Sequence, residues 1–265
     1  MASLAQTPAG PRQDDPMTRT LLAALALSTT LATAPAQALD RAAMSDAEKA
    51  AFGEAVKAYL MENPQVLVEA IGVLEERQQA AEAENDKVLV QTNAKDIFED
   101  GYSWVGGNPE GDVTVVEFMD YRCTYCRKAY DEVDKLLEKD GNIRFVVKEF
   151  PILGQESELS ARFAVALLQL AGAEVYEKAH DQLIAFRGAI TLDSLSRLAT
   201  DLGQDPAPIL KRMNEEEVSA VLRANHQLAE RMRISGTPAF VIGGELLRGY
   251  APANVMAEII KGQRG

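Results

Sequence analysis

The spacing of hydrophobic positions predicts helices for the first part of the chain that shows a regular pattern. From Ser45 to Ile97 glycine is rare, and apolar residues recur every three or four positions. Asn63-Pro64 interrupts this pattern, so we expect two helices, with Asn63 capping the second and Pro64 in its first turn. We assign residues 39–98 to this N-terminal helical segment.

The second of these helices carries a row of positions with alternating spacings of four and three, the pattern of a left-handed coiled coil. The row consists of Leu67, Ile71, Leu74, Gln78, Ala81, Asn85, Val88 and Thr92. It predicts a stalk through which the chain forms a homo-oligomer, made weak but register-specific by Gln78 and Asn85. Two alternatives are a helix that packs on its own domain and a charged linker from Glu75 to Lys87.

Residues 99–265 change to a mixed pattern. A short apolar run over Val113–Met119 predicts a buried strand, an amphipathic stretch from Cys123 to about Lys139 predicts a helix, and "IRFVVKEF" over Ile143–Phe150 predicts a second strand. Turn residues in "GGNPEGD" precede the first strand. Strand, helix and strand of these lengths form a βαβ unit, so the fold class is α/β.

The rest of this region predicts helices first and a hairpin afterwards. Helical spacing extends from Ser157 to about Arg231, including an apolar stripe through Phe163, Leu167 and Leu170. Gly243-Gly244 then separates two short apolar runs, Ala239–Ile242 and Glu245–Arg248, as in a two-residue hairpin. A last helix is expected from Asn254 to Lys261. We place the helical insertion at about residues 155–232.

The net charge and the N-terminal sequence limit the classes of partner and the cellular location. The 265-residue chain has a formal net charge of −13 and no large Lys/Arg cluster, which argues against a nucleic-acid partner. An apolar run from Leu21 to about Ala34, followed by the small-residue site Ala36-Gln37-Ala38, predicts a cleavable signal peptide within residues 1–38. The run contains hydroxyl residues and is short of the ~20 apolar residues of a membrane span. We expect translation to begin at Met17.

The two cysteines of the chain, in "CTYC", suggest redox chemistry. A C-x-x-C beside a βαβ pattern indicates a thioredoxin-like motif. At a helix N-terminus Cys123 is expected to have a pKa in the ~3.5–7.5 range and to attack disulfides, and Cys126, one turn later, to resolve them. A structural disulfide closing so short a loop stabilises by only ~2 kcal/mol. A closed zinc site needs four ligands, and the chain has only these two cysteines and no histidine at ligand spacing. We therefore expect no metal or cofactor and assign no function to His180 and His226. Binding of Cu(I) by the two thiolates remains an alternative.

The chain resembles the DsbA family of bacterial periplasmic thiol–disulfide oxidoreductases, which have a thioredoxin-like fold with an inserted α-helical domain. The resemblance covers about Tyr102 to Lys261 and depends on "CTYC", on Glu117 six residues before Cys123, on the helical insertion and on "GTPAF". It implies a periplasmic location, with unfolded or misfolded exported proteins as clients. Cys123 would be the nucleophile, Cys126 the resolving thiol and Glu117 a buried proton relay.

The resemblance also implies a substrate seat and a redox partner. Thr237-Pro238 would form the cis-proline that presents backbone groups to the client, with Thr124 and Tyr125 beside it. Strong oxidants of the family carry Pro-His where this chain has Thr124-Tyr125, so we predict a potential nearer ~−180 mV than ~−120 mV and an isomerase. Thr237, where oxidants carry valine, favours the same function. The partner would be DsbD/ScsB-like or, for the alternative of a monomeric oxidase, DsbB-like. The N-terminal helical segment is similar to that of the ScsC-like subgroup, some members of which oligomerise or are linked to copper tolerance.

Overall fold

The computed structural model describes residues 44–265, so the predicted signal peptide lies outside the described residues. These divide into two compact units, one ending at Pro64 and the other beginning at Gln65. In the first unit α1 spans Asp46–Glu62. A capping box starts this helix, because Ser45 Oγ accepts from the backbone of Glu48 (3.4 Å) while Glu48 Oε2 accepts from the backbone of Ser45 (2.8 Å). Asn63 is its C-cap and donates to the Tyr59 carbonyl through its side-chain amide.

A five-stranded mixed sheet organises the second unit. Its strands are β1 (Trp104–Gly107), β2 (Val113–Met119), β3 (Ile143–Glu149), β4 (Ala239–Ile242) and β5 (Glu245–Arg248). Their order is β1-β3-β2-β4-β5; β2 and β3 are parallel and the other neighbours antiparallel. The predicted strands β2 and β3 and the predicted hairpin are present, although β3 ends one residue before Phe150.

Helices cover both faces of the sheet and fill the insertion. The helices outside the insertion are α2 (Gln65–Thr92), α3 (Ala94–Phe98), α4 (Thr124–Lys139) and α10 (Ala253–Arg264). Between β3 and β4 lie α5 (Gln155–Ala171), α6 (Ala173–Ala185), α7 (Leu192–Asp201), α8 (Pro206–Arg212) and α9 (Glu216–Arg231). This architecture confirms the predicted fold class, a thioredoxin-like fold with a helical insertion. Of the predicted apolar stripe, Phe163 and Leu167 are buried, whereas Leu170, near the end of α5, is 44% exposed.

The sheet separates two hydrophobic cores. Alternation along β2 places Val115 and Met119 in the core shared with α4 and the insertion, and Val116 and Phe118 in the core on the opposite face. Glu117 has the same parity as Val115, so its carboxyl lies on the face covered by α4. This places a buried acid on the side of the sheet that carries both cysteines.

Helix α2 packs on the sheet edge with one face and exposes the predicted coiled-coil row on the other. Val90 is buried, and Arg248 of β5 forms a bidentate ion pair with Asp86 (2.5 and 2.8 Å). All eight residues of the row are exposed, Leu67, Ile71, Leu74 and Val88 by about half. Across residues 44–265, no helix combines the length and apolar character needed to cross a bilayer.

Candidate active site

The two cysteines lie at the start of α4, immediately after β2. Cys123 is the N-cap residue, and its N–H donates to the Asp120 carbonyl (3.0 Å). The Asp120 carboxylate accepts backbone N–H groups from Arg122 (2.8 Å), Ile152 (2.8 Å) and Leu153 (3.1 Å). Asp120, which sequence reasoning missed, therefore joins the loop before the cysteines to the loop after β3 and fixes where α4 begins.

The surroundings of Cys123 favour its thiolate. Its pKa is lowered to about 5, chiefly because the Cys126 thiol donates to it, with help from the Thr237 side chain and from the backbone N–H groups of Cys126 and Tyr125. Desolvation opposes this effect, since Cys123 is only 7% exposed. The structure therefore agrees with the direction expected from a cysteine at a helix N-terminus.

Cys126 has the opposite character. It is 1% exposed, and the backbone N–H of Asp120 lies 3.5 Å from its sulfur. Its pKa is raised well above the usual value, first because its thiol donates to Cys123, then because it is buried and faces the carboxyl of Glu117. Cys123 is therefore the sulfur that ionises, while the more deeply buried Cys126 keeps its proton.

The predicted substrate seat lies against Cys123. The Thr237–Pro238 peptide bond is cis, as the resemblance implies, and the Thr237 carbonyl lies 3.2 Å from Cys123 Sγ. Thr124 and Tyr125 are exposed, and the Tyr125 ring lies 6.5 Å from that of Tyr250. Tyr250, absent from the sequence prediction, also holds the ammonium of Lys128 over its ring (4.2 Å).

Glu117 is buried and its carboxyl is easily protonated. It is 5% exposed, and its pKa is raised to about 8 by burial and then by the charges of Cys123 and Glu149. It lines a cavity of ≈ 130 Å³ together with Trp104, Tyr130 and His180. The exposed acid Glu177 lies on the same cavity. Glu117 therefore shares a cavity with an acid that is exposed to solvent.

A second buried acid, Glu149, lies close to Glu117. Its Oε1 accepts from the hydroxyls of Tyr121 (2.7 Å) and Tyr176 (2.6 Å), and Tyr121 Oη is 3.1 Å from His180 Nδ1. Burial lowers the pKa of His180 to about 4, so its imidazole is neutral. Sequence reasoning assigned His180 nothing and missed this cluster. The spacing of four between Tyr176 and His180 on α6 was the only available signal.

The basic residues near Cys123 are partly committed to other contacts. Arg122 forms an ion pair with Glu156 (2.9 Å), and Arg127 donates to the carbonyls of Tyr121 (3.0 Å) and Phe186 (3.1 Å). They bind the active-site loop to the helical insertion. Among residues 44–265 no group of three or more His, Cys, Asp and Glu side chains is arranged to hold a metal ion.

Comparisons with known proteins agree with this geometry. Residues 114–261 match the DSBA-like thioredoxin domain, and residues 48–81 match the copper resistance protein ScsC N-terminal domain. A thioredoxin-like oxidoreductase from Silicibacter pomeroyi DSS-3 is 37% identical, with a TM-score of 0.61 over 64% of this chain and 96% of that one. BcfH from Salmonella enterica Typhimurium is 28% identical, with a TM-score of 0.69 over 83% of this chain and 97% of its own.

Matches to curated sequences are more partial. A Na(+)/H(+) antiporter NhaA 3 from Salinispora tropica is 28% identical over 155 residues, which are 58% of this chain and 23% of the antiporter. The chain spans about a quarter of the length of the curated relatives that it matches first. Disulfide bond formation protein D of Bacillus subtilis is 23% identical over 58% of this chain and 74% of its own length.

Proposed function

The chain belongs to the family with the DSBA-like thioredoxin domain, and from this premise we propose that it is a periplasmic thiol–disulfide oxidoreductase that isomerises disulfides in exported proteins. The observation that carries the proposal is the pairing of an ionised Cys123 at the start of α4 with a protonated, buried Cys126 beneath it. A chemically asymmetric dithiol of this kind separates attack from resolution.

The proposed reaction begins at Cys123. The Cys123 thiolate attacks one sulfur of a client disulfide, and the other client sulfur leaves as a thiolate. Another client thiolate can then attack the mixed disulfide, which releases a rearranged client and returns Cys123 unchanged. Alternatively, Cys126 gives its proton to Glu117 and attacks Cys123, so that the client leaves reduced by two electrons and the protein holds a Cys123–Cys126 disulfide.

The charges around Glu117 suit it to receive that proton. The Cys123 thiolate raises the pKa of Glu117 in the resting reduced protein. Once Cys123 is in a mixed disulfide that charge is gone, and the pKa of Glu117 falls. Glu117 therefore becomes a proton acceptor at the step at which Cys126 must be deprotonated.

Trapping tests the roles of the two cysteines. A Cys126→Ser variant should accumulate a mixed disulfide with exported proteins that contain disulfides, because the resolving thiol is absent. The matched Cys123→Ser variant should accumulate none, since the remaining thiol is buried and protonated. Equal trapping by both variants would overturn this assignment.

The isomerase part of the proposal rests on the residues around the sulfurs. Thr124-Tyr125 supplies no cation between the cysteines, and Thr237 precedes the proline. A DsbD/ScsB-like membrane partner would keep such a dithiol reduced, whereas an oxidase would need a DsbB-like one. Reactivation of scrambled ribonuclease, compared with oxidation of reduced hirudin, separates these functions. Fast oxidation without reactivation would contradict the isomerase.

The exposed row of α2 supports self-association as part of this function. Four large apolar residues of one row, Leu67, Ile71, Leu74 and Val88, are about half exposed, while the opposite face of α2 packs on β5. We propose that a second copy covers this row, so that two or more dithiols act on one client. Leu67→Asp with Ile71→Asp should lower the native mass in analytical ultracentrifugation. Val73→Asp, an exposed position outside the row, should not; an unchanged mass in the double variant would refute the interface.

Copper sequestration is the second candidate, favoured by the match of residues 48–81 to the copper resistance protein ScsC N-terminal domain. Two thiolates can hold Cu(I) without redox turnover. An anaerobic Cu(I) titration of the reduced protein distinguishes the two functions. Binding no tighter than that of glutathione would exclude sequestration.

A further inference from the structure

Glu117 and Glu149 are diagonal neighbours on one face of the sheet. In the parallel ladder between β2 and β3, Glu117 pairs with Val147 and Met119 with Glu149, so the two acids are two positions apart on adjacent strands. Residues of the same parity on these strands, including Val115 and Val147, lie in the core beneath α4 and the insertion. Both acids are therefore buried together, 5% and 3% exposed.

Hydrogen bonding distinguishes the two carboxyls. Two hydroxyl donors, from Tyr121 and Tyr176, converge on Oε1 of Glu149. Burial raises the pKa of Glu149 to about 8, and the two hydroxyl donors oppose this rise because they favour the ionised carboxyl. Within the described residues no hydrogen bond or salt bridge involves the Glu117 carboxyl. Because only Glu149 has such donors, we infer that it loses its proton before Glu117, and its charge then disfavours ionisation of Glu117.

The other groups around Glu149 do not cancel its charge. On α6 lie Tyr176 and a neutral His180, while Asn225 of α9 donates to the backbone carbonyl of Glu149 (3.0 Å). From the active-site loop Tyr121 donates and Asp120 adds a negative charge. On α4, the guanidinium of Arg127 donates to the carbonyls of Tyr121 and Phe186. Lys148 lies on the opposite face of β3, where it binds Asp100.

We propose that Glu149 is a positioning residue for thiol exchange, which ionises before Glu117 and whose negative charge then holds the proton on Glu117. The inference rests on the proposed function, in which Glu117 exchanges a proton with Cys126. Glu149 does not contact the sulfurs and acts through Glu117. Tyr121 and Tyr176 stabilise the charge of Glu149, so the cluster around α6 links the helical insertion to the dithiol.

The test is Glu149→Gln, which keeps an oxygen to accept from both tyrosines and removes the charge. Two charges roughly 7 Å apart at an effective dielectric constant of about 20 interact strongly enough to move the titration of Glu117 down by about one to two pH units. Carboxyl ¹³C NMR of oxidised protein labelled at glutamate would measure the titration of Glu117. The Glu117 signal is the one that disappears in Glu117→Gln. The pH profile of mixed-disulfide resolution should shift in the same direction.

Glu177→Gln is the matched control, because it removes an exposed acid on the same cavity and should leave the Glu117 titration in place. Tyr176→Phe removes one donor from Glu149 and should give a smaller shift in the same direction, which covers the case that Glu149→Gln does not fold. A Glu117 titration that coincides with wild type in both variants, or rises, overturns the inference. A protein that shows the NMR shift but no thiol exchange refutes the proposed function instead.

Discussion

Replacement of Glu117 by glutamine should stabilise the protein at neutral pH. Glu117 is a buried carboxyl whose pKa is raised from 4.5 to about 8, first by desolvation. At pH 7 the folded protein holds this proton and the unfolded chain releases it, so unfolding is favoured. Each pH unit between the pKa of 4.5 in the unfolded chain and pH 7 corresponds to 1.36 kcal/mol. The buried Glu117 therefore lowers the free energy of unfolding at pH 7 by about 3 kcal/mol. Glutamine, neutral at every pH, avoids this cost.

The stabilisation by Glu117→Gln depends on pH. Because the pKa in the folded state lies above that in the unfolded state, stability is complete below about 4.5 and falls as the pH rises towards about 8. The free-energy difference between Glu117→Gln and wild type should therefore be near zero at pH 4 and reach its full value near pH 8.

Urea unfolding of the reduced proteins at several pH values, under anaerobic conditions, measures this difference. Reduced protein is used because the charge of Cys123 contributes to the raised pKa of Glu117. Glu177→Gln, an exposed acid on the same cavity, should match wild type throughout. A Glu117→Gln variant that is no more stable than wild type at pH 7, with an unchanged m-value, would refute the reasoning.

Two further predictions concern the potential and the buried ion pair. Equilibration of the wild-type protein with glutathione should give a reduction potential nearer ~−180 mV than ~−120 mV. A Thr124→Pro/Tyr125→His variant should be more oxidising. A wild-type potential near ~−120 mV would contradict the assignment as an isomerase. Asp100→Asn should destabilise by about 3–5 kcal/mol in denaturant unfolding, because it leaves the fully buried ammonium of Lys148 without its carboxylate. Asp96→Asn, which breaks only a surface pair with Arg231, should cost less than ~1 kcal/mol, and equal effects would show that burial of Lys148 is not the cause.

Local periodicity predicted the elements that surround the dithiol. The strand before Cys123, helix α4, strand β3 and the hairpin each carry a pattern within a few residues, and the cysteine spacing itself indicates redox chemistry. Strand β1 was missed because its four residues include two glycines and show no alternation. The glycine at position 106 is explained by the fold, because a Cβ there would lie 2.0 Å from the Trp104 ring.

The rest of the site could not be predicted because it depends on contacts between distant positions. Tyr121 reaches Glu149 across 28 positions and His180 across 59, so no local pattern connects them. Glu149 in "VKEF" is indistinguishable by sequence from a strand residue exposed to solvent, and only the packing of α6 over the sheet buries it. The Asp120 carboxylate likewise accepts hydrogen bonds from the backbone N–H groups of Ile152 and Leu153, which lie in the loop after β3.

Cys123 is a thiolate at neutral pH because the Cys126 thiol, and then the backbone N–H groups at the start of α4, stabilise its negative charge. The most direct test is the ultraviolet absorbance of the thiolate as a function of pH, taken as the difference between reduced and oxidised protein. We predict a midpoint near pH 5 for Cys123, with Cys126 still protonated well above neutrality. A midpoint above about 8, the value of an unperturbed cysteine, would contradict it.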